Sequence, residues 1–193
     1  MASRVFPTSY RPAGEHAQMP NLLRQLRKKN RWHWNQPLSW LDEGDVPADP
    51  LANLETKKNT LSVFEIDNDI SRIERIAAAM AGQSNEGPKV EFEYVIFDQS
   101  ILDEIGIKIV NSDGQTPDRE VNSWHRDLTE LSATKLSFLA RRIVPIAKSR
   151  QVLPKRVREV FIENVKAKKI QWDKVTIGKS EKDKLLAEID QAK

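Results

Sequence analysis

The chain has 193 residues, 39% hydrophobic and 31% charged, with 31 Lys and Arg against 28 Asp and Glu and a formal net charge of +3. Such a composition excludes an intrinsically disordered polymer and supports one core that needs no covalent or metal staple. The absence of cysteine removes disulfides, thiolate metal sites and a Cys nucleophile, and fits a reducing compartment.

The longest apolar run, Ile76–Ala81, is far shorter than the roughly 20 residues of a membrane span. The N-terminus also lacks the apolar stretch of a secretory signal. The expectation is a soluble, cytoplasmic protein with no membrane partner.

The small net charge hides a segregation. Residues 65–104 carry ten acidic and three basic side chains, whereas residues 132–193 carry sixteen basic and seven acidic ones. Sorting charge by segment in this way points to a partner surface.

Residues 1–20 contain Pro7, Pro12, Gly14 and Pro20 with little apolar periodicity, so they read as a flexible tail, and Met19 offers an alternative start. The remainder, 21–193, reads as a single domain. Within Asn21–Trp34, Leu22, Leu23 and Leu26 stand at helical spacing beside Arg24, Arg27, Lys28, Lys29 and Arg31; this predicts a short basic helix. Trp32, His33 and Trp34 follow, with Trp40 shortly after. Rings beside guanidinium groups stack nucleic-acid bases, and Trp with Arg also anchors protein interfaces. Anchoring is the simpler reading here, because no known nucleic-acid module surrounds these residues. The acidic, proline-containing stretch 35–55 offers a fold-back partner of opposite sign.

Thr60–Ile66 is β-branched and aromatic and predicts a strand, Ile70–Ala81 has helical periodicity ending at Gly82, and Val90–Phe97 predicts a second strand. A strand, a helix and a strand in that order favour a parallel pair with a right-handed crossover, the second strand being central. Ile107–Val110 adds a short third strand. The fold expected is α/β or α+β, with a small mixed or parallel sheet from residues 59–110 and a helical C-terminal half, 116–193.

In that half Thr116 and Pro117 suit a helix start, and Val121, Trp124, Leu128 and Leu131 share one helical face. Ser132 then caps a further helix through Leu136, Leu139, Ala140, Ile143 and Ala147, with a kink expected at Pro145. Pro154 opens another reaching about Lys169, and Ser180 caps a last one over Glu181–Gln191. On the helix opened by Pro154, Lys155, Arg158, Lys166 and Lys169 fall in one sector at about 100° per residue, opposite Val157, Val160, Phe161 and Val165. This cationic rail suits a phosphate backbone or an acidic protein. It also reads as an ordinary solvated face, neutralised in part by Glu159 and Glu163.

Three short patterns bear on chemistry. Asp67, Asn68 and Asp69 end the first predicted strand, and Asp98 ends the next on the same expected edge; carboxylates placed so hold Mg²⁺ in phosphoryl chemistry. The pattern resembles the DxD opening of haloacid-dehalogenase-like phosphatases, which implies a metal-dependent phosphoester hydrolase. Glu65 interrupts the apolar strand, however, the Thr that follows the motif is missing, and acids near a helix start also complement its dipole. His125, Arg126 and Asp127 spell the HRD of a kinase catalytic loop, but Ser132 stands where Asn belongs and no Gly-rich loop precedes it, which rejects a kinase. Arg119 and His125 resemble the R-x(4–6)-H pair of the HEPN ribonucleases over seven residues. That resemblance implies His and Arg of two chains flanking a scissile phosphate, although HEPN folds are all-helical and the two residues stand about 120° apart on a helix.

His16, His33 and His125 share no metal-ligand spacing, and with seven glycines the chain shows no phosphate-cradling loop. No cofactor and no metal are expected. The leading expectation is a noncatalytic accessory or regulatory subunit binding another protein through Arg24, Arg27, Lys28, Arg31, Trp32, Trp34, Lys155, Arg158, Lys166 and Lys169. RNA or DNA binding by the same basic residues is the second reading, and a hydrolase or ribonuclease using Asp67, Asp69, Asp98, Arg119 or His125 is the third.

Overall fold

The computed structural model describes residues 20–26, 42, 44–52, 54–67, 69–146 and 150–191. In chain order these form β1 (Asn21–Leu26), α1 (Asp49–Ala52), β2 (Leu61–Glu65), α2 (Ile70–Ala81), β3 (Phe92–Asp98), α3 (Ser100–Glu104) and β4 (Lys108–Asn111). Then come α4 (Arg119–Ser123), β5 (His125–Thr129), α5 (Ala133–Ile143), β6 (Arg150–Val152), α6 (Pro154–Lys166) and α7 (Lys179–Gln191). The fold is α+β.

Its six strands lie in the order β4-β5-β2-β1-β3-β6, every neighbouring pair antiparallel. This corrects the expected mixed or parallel sheet, since no neighbouring pair among the described strands is parallel. β2 and β3 both run against β1 and therefore run parallel to each other, joined by α2 as predicted, but β1 is inserted between them. The sheet also draws on residues well outside 59–110.

Residues 21–26 are thus a strand rather than the start of a basic helix. Successive strand side chains point to opposite faces: Leu22 and Leu26 enter one core with Val63, Val95 and Phe97, while Leu23 enters another with Phe64, Ile66 and Phe92. A central strand covered on both faces has no need of polar alternation, and its leucines imitate a helical period.

Helix layers cover both faces. One core receives Ile101 and Leu102 from α3 and Leu139, Ala140 and Ile143 from α5; the other receives Ile73, Ile76 and Ala77 from α2, Val121 from α4 and Val157 from α6. A third cluster joins Ala78 of α2 and Val160 and Phe161 of α6 to Ile170, Val175, Ile177 and Leu185. Each large side chain buried in this way contributes about 1.5–3 kcal/mol of transfer free energy.

The expected helix through Leu131 does not form. Asp118, not Thr116, is the cap: its carboxylate accepts from Glu120 N at 2.9 Å and Val121 N at 3.3 Å, and α4 stops at Ser123. The chain then enters β5, whose backbone is paired by β2 on one side and β4 on the other. Ladder bonds to two strands, with Leu128 buried, outweigh the weak local preference for helix.

Ser132 caps α5 as predicted, its hydroxyl accepting from Lys135 N at 3.2 Å. That helix ends at Ile143, before Pro145 rather than kinking across it: Val144 keeps helical backbone and donates to Ala140 O at 2.8 Å, but Pro145 has no N–H with which to continue the ladder. Pro154 opens α6.

Candidate functional site

Folding pairs part of the basic C-terminal stretch with acids. Three arginines of the basic C-terminal stretch reach acids elsewhere: Arg141 meets Asp45 at 3.1 Å, Arg142 meets Glu104 at 2.5 Å, and Arg156 meets Glu74 at 2.7 Å. Two of these acids, Glu74 and Glu104, belong to the acidic stretch 65–104.

Arg158, expected on the cationic rail, is instead the link between α6 and α7. Its guanidinium grips Glu188 with Nε at 3.0 Å and Nη2 at 2.6 Å and reaches Glu181 with Nη1 at 2.5 Å. Glu181, only 5% exposed, is shared with Lys89. Burial pushes the Glu181 carboxyl up, but hydrogen bonds from Lys89 and Arg158 outweigh this and hold it below the usual glutamate value.

What remains of the rail is short. Lys155 at the start of α6 is exposed, as are Lys168, Lys169 and Lys174 around its end. None of these four has a carboxylate partner among the described residues. Lys166 is also exposed but is engaged. The turn after α6 places Lys168 at φ 57°, so Lys168 and Lys169 leave the helix at once, and Lys174 follows at the end of the short turn Trp172–Lys174. From the other basic element only Arg24 falls within the described residues; it sits on β1 and donates to Ser62 O at 2.8 Å. Arg27, Lys28, Arg31, Trp32 and Trp34 lie outside them, as do His33 and Trp40.

The carboxylate candidates have local partners. Asp67 stands at φ 40° and holds Arg72 at 2.6 Å. Asp69 caps α2, and hydrogen bonds from Ser71 lower its pKa; Asp98 accepts from Ser100 N at 2.7 Å, which likewise lowers its own. β1 separates the strands that Asp67 and Asp98 follow and end. Among the described residues no three His, Cys, Asp or Glu side chains gather as a metal site would require.

Arg119 and His125 do not share a helix: the first opens α4, and the second opens β5. His125 lies on the floor of an open concavity of about 600 Å³, the size range of small-ligand sites. The floor is sheet. Cross-strand register sets Phe64 beside His125 and Ser62 beside Asp127, giving one aromatic row and one polar row on the same face. The Phe64 and His125 rings meet edge to face with centroids 5.3 Å apart.

The walls come from the end of α2, the loop after β4 and the turn before β2. Met80 and Gln83 stand on the first and Asp113 to Thr116 on the second, with Glu55, Lys57 and Lys58 on the third. The second wall is pinned by Asn122 of α4, whose amide donates to Thr116 O at 3.0 Å while its carbonyl oxygen accepts from Thr116 N at 2.8 Å. Gly114 makes this packing feasible, since a Cβ there would stand 2.8 Å from Asn122 Oδ1.

The same loop fixes the His125 tautomer. Nδ1 lies 2.9 Å from Ser112 Oγ and 3.1 Å from Ser112 O. A carbonyl oxygen only accepts, so Nδ1 carries the hydrogen and the neutral ring keeps its lone pair on Nε2, the form suited to a base or an acceptor. Among the described residues, Asp127 receives only the Ser62 hydroxyl, at 3.4 Å.

This constellation is not legible as such in the sequence. Ser62, Ser112, Lys57 and Lys58 carry no motif, and Asp127 stands out only within a rejected kinase triplet. The one usable signal is the strand over Thr60–Ile66, whose alternation puts Ser62 and Phe64 on one face. No described helix is long and apolar enough to cross a membrane. No family model matches this chain, and neither curated proteins nor solved structures give a significant match.

Proposed function

We propose that this chain is a binding protein, an accessory or regulatory subunit of the cytoplasm, and that it docks an acidic surface of another protein through the lysines at the end of α6. The observation that carries the reading is selective neutralisation. Folding consumes Arg141, Arg142, Arg156 and Arg158 in ion pairs, yet leaves Lys168, Lys169 and Lys174 exposed without a carboxylate partner among the described residues. Lysines near a helix C-terminus complement its dipole, so the cluster is tolerated by the fold while its charge faces outward. Exposed, unpaired lysines of this kind steer association with an acidic partner and make it salt-dependent.

The test is retention of a stoichiometric partner from native lysate by the immobilised chain after nuclease treatment, with mass determined by light scattering. The K168E/K169E/K174E variant is expected to lose that partner, and K184E on α7 to keep it. Equal retention by the triple variant would refute the reading. Loss on nuclease treatment alone would transfer the patch to a nucleic acid, whose affinity falls linearly in log salt.

A further inference from the structure

Away from that patch, the geometry points to a second binding site: we propose that the concavity over β2 and β5 holds a mononucleotide-sized ligand, a planar ring joined to a phosphate through a hydroxyl-bearing linker. Three features of the cavity select the three parts of such a molecule.

The floor selects the ring. Phe64 and His125 lie side by side on adjacent strands, with Met80 at the wall. Phe64 is buried and meets the His125 ring edge to face at 76°, so it braces the half-buried imidazole, and that single ring is the surface against which a planar ligand stacks. His125 adds an edge-on acceptor, because the Ser112 carbonyl keeps the hydrogen on Nδ1 and Nε2 makes no hydrogen bond among the described residues.

The turn before β2 selects the phosphate. Lys57 and Thr60 close it with reciprocal backbone hydrogen bonds of 3.1 Å, and Lys58 and Asn59 occupy it at φ 53° and 62°. Two successive non-glycine residues in the left-handed region are unusual. The arrangement holds two lysines at the rim of the cavity, and neither has a carboxylate partner among the described residues.

The polar row selects the linker. Asp127 is half-buried and receives one long hydrogen bond among the described residues, so its carboxylate retains acceptor capacity for ligand hydroxyls or an exocyclic amine. The acids Glu55, Asp113 and Asp127 balance Arg24, Lys57 and Lys58 around the rim and floor. A bare anion would meet this mixture with little net attraction. A ligand with donors at one end and a phosphate at the other matches it.

Isothermal titration calorimetry of the full chain with adenosine monophosphate, uridine monophosphate, the two nucleosides and inorganic phosphate tests the assignment. Both nucleotides are expected to saturate with dissociation constants below about a millimolar, with each nucleoside and inorganic phosphate roughly tenfold weaker or more. K57E/K58E, at an exposed turn, should weaken the nucleotides about tenfold and leave nucleoside affinity unchanged. D127N should weaken nucleotide and nucleoside alike, and the imidazole ¹⁵N signal of His125 Nε2 should move on nucleotide addition. The proposal is overturned by absence of saturable nucleotide binding, by inorganic phosphate binding as tightly as the nucleotides, or by nucleotide affinity indifferent to K57E/K58E in a variant whose circular dichroism and melting match the parent chain.

Discussion

One face of the sheet carries two unlike regions. Over β3 and the adjoining part of β1, helices α2 and α6 close down, and Leu23, Phe92, Ile76 and Val157 form dry core. Over β2 and β5, α2 has ended, and Ser62, Phe64, His125 and Asp127 line an open cavity. The polar partners differ in the same way. Beside the closed region Asp118, fully buried, receives Arg75 through Nε at 2.7 Å and Nη2 at 2.9 Å as well as the α4 backbone. At the open end Asp127 receives one hydroxyl at 3.4 Å. Polar groups that serve the fold are saturated by it, and those left with spare capacity beside a cavity are available to a ligand.

The contrast is broken most severely at its closed side. Asp118→Ala strips the cap from α4 and leaves the Arg75 guanidinium without its main buried partner, and should lower unfolding free energy by about 3–5 kcal/mol in chemical denaturation. Phe161→Ala empties the centre of the outer cluster and is expected to lose a similar amount, about 3–5 kcal/mol. If either loss falls below roughly 1 kcal/mol, the helix layers are not what stabilises the closed side.

Arg158→Ala comes next, at about 1–3 kcal/mol, because among the described residues Glu181 then keeps only Lys89. Acid reveals the same link. The folded-state pKa of Glu181 is depressed, so its stabilisation is complete above the ordinary glutamate value and is lost as pH falls through the lower folded one. Melting temperature should therefore drop on acidification below about pH 4.5, and Glu181→Gln should flatten that drop. A steeper acid dependence in the variant would contradict the ion-pair assignment.

Ser132→Ala removes one capping acceptor and should cost about 1 kcal/mol. Lys58→Gly, at the open end, should go the other way. Glycine relieves the positive φ and is expected to raise stability by up to about 1 kcal/mol while weakening nucleotide binding. A fall in stability would show that the turn is not strained.

Individual residues show how far pattern alone reaches. Helix α2 is plain from Ile70–Ala81 because an amphipathic period sustained over twelve residues fits a helix and no strand. Ser132 and Pro154 announce the starts of α5 and α6 for reasons that act within one turn. β5 is disguised because Val121, Trp124, Leu128 and Leu131 keep helical spacing across a junction: Val121 closes on α2 from a helix, whereas Leu128 enters the opposite core from a strand. β6, with three residues, is too short to carry a period.

The candidate site is less visible than the fold. His125 stands out individually and Asp127 only within a rejected triplet, their shared face follows from strand geometry, and their neighbours Ser62, Ser112 and the cavity residue Lys57 come from segments far apart in the chain. The basic stripe fails for a related reason: Arg158 is expected in one sector with Lys155 and Lys169, yet α6 ends at Lys166 before Lys169, and the packing of α7 engages Arg158 with Glu181 and Glu188.

Composition and local periodicity by themselves determined that this chain packs helices and strands around one core, where α2, α5 and α6 begin, and that α2 joins two strands of like direction. Such features depend on contacts within a few turns of chain or on the bulk count of apolar side chains. Only the tertiary structure decided that β1 separates those two strands, that opposite charges from distant segments neutralise one another, and that the end of α2 leaves His125 and Asp127 uncovered. Each of these depends on which distant segments become neighbours, and local spacing carries no record of that choice.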